Sequence, residues 1–147
     1  MLKNRLLIFC LLTSIQLLYS IDIQSIRVVG KFMCADQPAP LFRITLYEEE
    51  LGKMCGTYTT TEGAFNISGH KIKSASIQPY LNVFNKCNNT ADPCQHHWKM
   101  ELMNVQSYIT PQKNAVKTFD IGTYNLEAKY GNCQDGKTIV KAVPIQQ

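Results

Sequence analysis

Leu41-Phe42-Arg43-Ile44-Thr45-Leu46-Tyr47 is the stretch that decides the fold class. Apolar side chains take every second position, so Phe42, Ile44 and Leu46 share one face of an extended strand. The intervening arginine, threonine and tyrosine face the other side. This alternation predicts a β-strand with one face buried in a core.

Similar short runs recur along the chain and are separated by turn residues. The residues Thr61-Glu62-Gly63 between two of them form a hairpin signature, and no run has the periodicity of a long amphipathic helix. The pattern predicts an all-β, immunoglobulin-like β-sandwich of about seven to eight strands. We predict strands over 26–33, 41–47, 54–60, 64–68, 80–86, 98–103 and 117–128, a loop over 104–116, and a strand or a tail over 137–147.

The first 20 residues have the features of a secretory signal. Lys3 and Arg5 supply its basic start, residues 6–12 its apolar segment, and Ser20 a small residue at the end. The apolar stretch is shorter than the roughly 20 residues that a membrane-spanning helix needs. We therefore predict a cleaved signal peptide over 1–20, no transmembrane anchor, and a secreted, extracellular domain over 21–147.

The size and net charge of the chain limit the classes of function that it can have. The 127 residues after the signal fit one domain, and they carry 13 basic and 11 acidic residues, a net charge of +2. No stretch interleaves lysine or arginine with aromatic residues as a nucleic-acid groove requires. Nucleic acid is therefore excluded as an expected partner.

Five cysteines remain once Cys10 leaves with the signal, an odd number for an oxidising compartment. Two disulfides and one leftover thiol are the simplest arrangement, and the sequence alone leaves the choice of pairs open. A zinc site is the rival reading, but the chain has no CxxC pair and no HxxxH. We predict disulfides among Cys34, Cys55, Cys87, Cys94 and Cys133, and no metal site.

Two triplets match the acceptor motif for N-linked glycosylation, Asn66-Ile67-Ser68 and Asn88-Asn89-Thr90. Asn88 adjoins Cys87 in a polar loop and is the favoured acceptor. Asn66 falls within a predicted strand, where a side chain is less accessible.

Candidate chemistry is sparse. In His96-His97-Trp98 the two imidazoles would point to opposite sides of a strand, so one metal ion would not easily bind both. We interpret this cluster as a loop end that leads into a buried Trp98, and Glu48-Glu49-Glu50 as a solvated turn. No catalytic constellation and no cofactor site are predicted.

The order of these segments resembles the transthyretin-like proteins of nematodes, secreted relatives of the transthyretin β-sandwich. The resemblance covers nearly all of the chain after the signal, and the segment 117–128 is its most specific part. The matching segments are Ile26-Arg27-Val28-Val29-Gly30-Lys31-Phe32-Met33-Cys34, Ile44-Thr45-Leu46-Tyr47-Glu48, Thr61-Glu62-Gly63-Ala64-Phe65-Asn66-Ile67-Ser68-Gly69, Ile77-Gln78-Pro79-Tyr80-Leu81-Asn82-Val83-Phe84 and Lys117-Thr118-Phe119-Asp120-Ile121-Gly122-Thr123-Tyr124-Asn125-Leu126-Glu127-Ala128.

The resemblance also implies a cysteine pattern. The cysteines usual in the family match Cys34, Cys87, Cys94 and Cys133, which leaves Cys55 as the free thiol. The implied pairs are a local clip between Cys87 and Cys94 and a long closure between Cys34 and Cys133. Cys55 is then expected to be a buried, unreactive thiol, with an intermolecular disulfide through it as the alternative.

Hydroxyisourate hydrolases, enzyme relatives of this fold, use two histidines, an arginine and a closing Tyr-Arg-Gly-Ser. This chain ends Pro144-Ile145-Gln146-Gln147 and has no histidine in its first strand, so hydrolase activity is the disfavoured alternative and no enzyme is expected.

The resemblance instead implies an extracellular binding protein, which recognises an anionic lipid headgroup or another extracellular protein. A small apolar ligand held between subunits is the alternative; the ligand-binding residues and the oligomeric state stay open. The candidate headgroup residues are Lys71, Lys73, Lys86, Lys99, Lys113 and Lys117.

Overall fold

The computed structural model describes residues 22–87 and 92–146. The predicted signal peptide and the sequon at Asn88 lie outside the described residues. The elements are β1 (Ile23–Cys34), β2 (Gln37–Pro38), β3 (Arg43–Glu48), β4 (Gly52–Tyr58), β5 (Ala64–Ile72), β6 (Pro79–Phe84), α1 (Pro93–His96), β7 (His97–Leu102), a 3₁₀ helix (Val105–Tyr108), β8 (Thr118–Asn125), β9 (Asn132–Gln134) and β10 (Lys137–Ala142).

The predicted all-β class is confirmed. Among the described residues, eight strands have six or more residues, and only β2 and β9 are shorter. The interval 104–116 is not loop throughout, because it contains the 3₁₀ helix and Thr110, which exchanges backbone hydrogen bonds of 2.9 Å with Ser25.

The strands form two sheets. In the smaller sheet, β1 lies between β5, which is antiparallel to it, and β8, which is parallel to it, while β2 pairs with the end of β1. The larger sheet has the order β4-β3-β6-β7-β10-β9 and is antiparallel except between β7 and β10. The span Lys137–Ala142 is therefore a strand and not a tail.

The core lies between the two sheets and is built from the alternate apolar residues of each strand. Phe32 and Phe119 are its largest fully buried side chains, and the rings of Phe32 and Phe65 stack 5.2 Å apart. Phe42, Ile44 and Leu46 are all buried, as the alternation in the second predicted strand requires.

The turn at Thr61-Glu62-Gly63 forms, but the predicted hairpin is wrong. β4 pairs with β3 in the larger sheet, whereas β5 pairs with β1 in the smaller sheet, so the turn crosses from one layer to the other. Gly63 has φ +77°, and a Cβ placed on it would lie 2.2 Å from the carbonyl oxygen of Phe32. Thr61-Glu62-Gly63 would suit a hairpin, but in this structure the glycine allows the turn to approach the backbone of β1 closely.

The disulfide pairing implied by the resemblance is also wrong. The bonds are Cys34–Cys87 and Cys94–Cys133, with Cα atoms 5.3 and 5.7 Å apart. Although Cys87 and Cys94 are close in sequence, they face different partners. Cys87 approaches the end of β1, where its sulfur lies 3.9 Å from the Met33 carbonyl oxygen.

Local hydrogen bonds explain these directions. Asn85, buried after β6, donates to the Leu126 carbonyl and accepts from the Cys87 amide, which turns the chain toward β1. On the far side of the loop, Asp92 caps α1 by accepting from the Cys94 amide, and Thr138 of β10 donates to the Cys94 carbonyl. Cys94 is thereby held beside the β9–β10 hairpin that carries Cys133.

Candidate ligand-binding face

The outward side of the larger sheet, called the outer face below, brings together polar, aromatic and basic residues that are far apart in the sequence. Strand pairing places Thr45 between Gly56 of β4 and Asn82 of β6, and Asn82 next to Lys99 of β7. Three small or medium-sized residues therefore lie side by side across three strands. Neighbouring strands are about 4.8 Å apart, so the row runs about 10 Å inward from the edge strand β4.

Larger side chains flank this row on both sides. Outward residues on one side include Arg43, Tyr58, Phe84 and His97, and Tyr47 and Tyr80 lie on the other. A low row between two high rows forms a trough across the strands. The hollow at its centre measures about 350 Å³ and is lined by Arg43, Thr45, Tyr47, Asn82, Val83, Phe84, His97, Trp98 and Lys137.

The floor of the trough holds an unpartnered polar group. Thr45 is only 7% exposed although it faces outward, and the carboxamide oxygen of Asn82 is buried with no hydrogen-bond partner among the described residues. A buried polar atom without a partner costs about 1–3 kcal/mol. A ligand that hydrogen-bonds to Asn82 would recover part of that cost.

The aromatic residues of the trough form two contacting pairs. Tyr47 stacks on Tyr80 with ring centroids 5.4 Å apart, and Phe84 meets His97 edge-on at 4.9 Å. Phe84 is 41% exposed, and Tyr58 beyond Arg43 is 59% exposed. These apolar surfaces are open and held in place by neighbouring rings.

Of the described cations along the trough, Lys99 is neutralised by an ion pair, whereas Arg43 and Lys137 are not. Lys99 bonds both carboxylate oxygens of Glu49 at 3.0 Å, and its ammonium group lies 4.4 Å from the centre of the Tyr80 ring. Arg43 and Lys137 make no ion pair within the described residues. The trough therefore carries uncompensated positive charge.

Lys53 adds a further cation at the β4 end. Its terminal atoms lie 3.6 Å from the position that a Cβ would take on Gly56, over the floor of the trough. Like Arg43 and Lys137, Lys53 forms no ion pair among the residues that the structure describes. Three cations thus surround a floor that has no acidic side chain among its lining residues.

A buried ion pair fixes one edge of this face, contrary to the expectation of a solvated turn. Glu48 is fully buried, accepts from Lys73 at 2.7 Å, and also accepts from the backbone amides of Glu50, Leu51 and Gln78. Burial opposes its ionisation, but these hydrogen bonds prevail and lower the pKa of Glu48 to about 2. The hydrogen bond to Glu48 in turn raises the pKa of Lys73.

The candidate lysines are not gathered into one patch. Lys73 is bound to Glu48 and Glu50, Lys99 to Glu49, and Lys117 donates to the Ser107 carbonyl. The remaining three lie on separate segments: Lys71 on β5 in the smaller sheet, Lys86 after β6, and Lys113 before β8.

The histidines are likewise dispersed. His70 is on β5 of the smaller sheet, His96 ends α1, and His97 begins β7 on the outer face. Trp98 is buried at 3% exposure, and its ring meets Tyr130 edge-on. Within the described ranges, no three histidine, cysteine or acidic side chains are grouped so as to hold a metal ion.

Cys55 and Asn66 differ from expectation in exposure. Cys55 is a free thiol on the edge strand β4, partly buried and not fully enclosed. Asn66 is exposed on the outward side of β5, paired in register with Val29. Position within a strand does not hide this sequon, because its asparagine faces solvent.

A larger hollow of about 660 Å³ lies between β8 and the β9–β10 hairpin. Tyr124 and Tyr130 line it and pack against each other with ring centroids 5.4 Å apart. Its lining holds no buried polar atom that lacks a partner, which separates it from the trough. Among the described residues, no helix has the length and apolar character needed to cross a bilayer.

The structure has two facing sheets, which the Cys34–Cys87 bond ties together, and the first strand lies inside the smaller sheet. These features define the class as a small, disulfide-linked β-sandwich. The chain belongs to the transthyretin-like family, whose model matches residues 29–102. The family predicted from the sequence is confirmed.

The curated relatives come from Caenorhabditis elegans. Transthyretin-like protein 1 is 36% identical in an alignment of 118 positions that covers 73% of this chain and 74% of that protein. Transthyretin-like protein 46 is 36% identical in an alignment of 113 positions that covers 73% of this chain and 62% of the relative. Transthyretin-like protein 5 is 30% identical in an alignment of 130 positions that covers 85% of this chain and 91% of the relative.

The residues of the trough were not predicted as a site. Arg43, Thr45 and Tyr47 were assigned correctly to the face opposite the core, but Asn82 and Phe84 carried no functional expectation. The available signal was the outward half of each alternating strand, which contains more aromatic and basic residues than a purely solvated face needs.

Proposed function

We propose that the chain is a secreted, extracellular, non-enzymatic binding protein that contacts its ligand through the trough on the outer face. The observation that carries this proposal is the coincidence in one depression of the Asn82 oxygen, exposed aromatic rings and two cations, Arg43 and Lys137; among the described residues the oxygen has no hydrogen-bond partner and the cations form no ion pair. Lys53 adds a third such cation beside Gly56. Binding sites combine apolar surface with a few placed polar groups in this manner. The predicted signal sequence and the disulfides support export into an oxidising compartment.

The proposal of binding over catalysis is supported by the dispersion of the titratable groups. His70 and His97 belong to different sheets, so they do not form the histidine pair that hydroxyisourate hydrolases use. His97 meets the Phe84 ring edge-on. The outer face offers contacts, and its described residues offer no nucleophile held by a base.

The test uses the full chain expressed in eukaryotic cells and recovered from the medium, with its N-terminus read by mass spectrometry. The labelled protein is applied to unpermeabilised nematode tissue, and the concentration for half-maximal surface binding is measured. Tyr58→Glu and Phe84→Glu place charge at exposed positions of the trough without opening the core. We expect each to weaken binding at least about tenfold, as truncation of an aromatic anchor does.

The matched controls are Ile72→Glu and Val116→Glu, which alter exposed apolar residues away from the outer face. These should leave half-maximal binding within about twofold, and thermal melting should show that all four variants are folded. Equal losses in both sets, or no surface binding above a reduced and unfolded sample, would overturn the proposal.

A further inference from the structure

We infer that the trough recognises an acidic saccharide, that is, an oligosaccharide that carries carboxylate or sulfate groups. This inference rests on the proposed function and names the ligand class for the same face. Three independent features of the trough lead to it: the floor, the rings and the charges.

A hydroxyl group is the ligand group that best fits the floor of the trough. Asn82 offers a carboxamide whose buried oxygen needs a donor. A hydroxyl both donates and accepts, so it satisfies the amide in either orientation of its oxygen and nitrogen. A phosphate diester or a bare carboxylate has no proton to donate and would leave this oxygen unsatisfied. Vicinal hydroxyls of a sugar ring are well suited to a side-chain amide.

The rings provide a surface for the C–H side of a sugar. Phe84 is exposed and braced by His97, and Tyr47 is braced by Tyr80. Rigid aromatic side chains give contact area at low cost in conformational entropy. Burial and the nearby Glu49 carboxylate raise the pKa of Tyr80, so its phenol stays protonated.

The charges select for an acidic sugar over a neutral one. Arg43 and Lys137 belong to β3 and β10, which are separated by two strands, so their backbones are roughly 14 Å apart. Lys53 lies over the floor at the β4 end. An extended oligosaccharide lying across the strands would reach all three cations, and its acidic groups would compensate them. Arginine and lysine bind sulfate and carboxylate oxygens through charge-assisted hydrogen bonds.

The test is a calorimetric titration of the mature, oxidised protein with a heparin-derived tetrasaccharide at low salt. Maltotetraose, which has hydroxyls but no charge, serves as the neutral comparison. We expect the sulfated ligand to bind at least about tenfold more tightly than maltotetraose, with the difference shrinking as salt screens the charges.

Two variants separate the floor from the charges. Asn82→Ala should weaken binding of the tetrasaccharide about tenfold, the effect of losing one hydrogen bond to a buried group. Arg43→Gln combined with Lys137→Gln should weaken it about tenfold or more and remove most of its salt dependence. The matched controls are Asn114→Ala for the amide, and Lys113→Gln combined with Lys129→Gln for the charges; all three positions are exposed.

Vesicles containing phosphatidylserine and a single-stranded oligonucleotide form further arms. If either binds through the trough more tightly than the tetrasaccharide, with loss in the Arg43/Lys137 variant, the saccharide assignment is wrong. Enzymatic removal of acidic glycans from the tissue used above should abolish surface binding. If trough-dependent surface binding persists after that treatment, the proposed function stands and the saccharide inference fails; if no surface binding exists at all, both fail.

Discussion

Glu48 provides the sharpest test of how this sandwich is held together. Its carboxylate is fully buried at the end of β3, bonded to Lys73 at 2.7 Å and to three backbone amides. Glu48→Gln keeps the size of the side chain but removes its charge. The substitution leaves the Lys73 ammonium without its buried partner and presents an amide nitrogen where backbone donors converge.

The expected loss follows from the pKa. Folding lowers the pKa of Glu48 from 4.5 to about 2. Each pKa unit corresponds to about 1.4 kcal/mol, so the ionised carboxylate contributes about 3 kcal/mol to the free energy of unfolding at neutral pH. Removing one partner of a buried pair costs a similar 3–5 kcal/mol or so.

The pH dependence has a definite sign. Because the folded pKa lies below the unfolded value, this stabilisation is present above pH 4.5 and is lost as the pH falls from 4.5 towards 2. The wild-type protein should therefore lose stability over this window. Glu48→Gln should lack that component, so the gap between the two proteins should narrow as the solution becomes more acidic.

The assay is urea unfolding followed by the fluorescence of Trp98, the single tryptophan of the chain, which is 3% exposed. With a typical urea dependence of about 1–3 kcal/mol per molar, a loss of about 3 kcal/mol lowers the midpoint by roughly 1–3 M. Glu62→Gln, at an exposed turn position, is the control and should leave the midpoint nearly unchanged. A Glu48→Gln midpoint equal to this control at pH 7, with the same acid sensitivity as wild type, would refute the reasoning.

Three further predictions concern a disulfide, a turn glycine and a glycosylation site. Cys94→Ser combined with Cys133→Ser removes a closure of 39 residues and should lower the unfolding free energy by about 4 kcal/mol, measured by urea unfolding; a loss below 1 kcal/mol would count against the bond. Gly63→Ala should lower the unfolding free energy by about 1–3 kcal/mol more than Gly52→Ala does. Both glycines have positive φ, but only at Gly63 would the added Cβ meet a backbone oxygen, that of Phe32. Equal melting temperatures of the two variants would contradict this prediction. Asn66 is exposed and should accept a glycan in eukaryotic expression, so Asn66→Gln should remove one glycosidase-sensitive shift in electrophoretic mobility; no change in mobility would contradict the assignment.

The sequence was sufficient for the fold class because alternation is a local property. Phe42, Ile44 and Leu46 of the run 41–47 are buried as expected, whereas Leu41 lies before β3 with φ +58° and is 66% exposed. In β7, Trp98, Met100 and Leu102 point into the core while Lys99 and Glu101 point out. The strand over Lys137–Ala142 was only half expected, because it pairs in parallel with β7, which lies far back in the chain. Its local signal is the Asp135-Gly136 turn, which joins it to β9 in a hairpin.

The disulfides and the hairpin were beyond local reasoning. Whether Cys87 turns toward Cys34 or Cys94 depends on the buried hydrogen bonds of Asn85, and these involve Leu126, far away in sequence. The hairpin signature around Gly63 is shared by turns within a sheet and turns between sheets. At Gly63 the difference lies in the sheet that the next strand joins, and β5 joins the smaller sheet.

The candidate site was missed for a related reason. Along the chain, basic and aromatic residues do not interleave. The sheet assembles them across strands instead, with Arg43 from β3, Phe84 from β6 and Lys137 from β10 around one hollow. Only the register of strand pairing brings these residues together, and that register is not written in any single segment.

The most direct test of the central claim is to map the binding face by NMR, titrating the isotopically labelled protein with the heparin-derived tetrasaccharide. The account predicts saturable shifts of the Asn82 side-chain amide and of backbone amides at Thr45 and Phe84, with the smaller sheet unaffected. Shifts confined to β1, β5 and β8, or no saturable shift on the outer face, would contradict it.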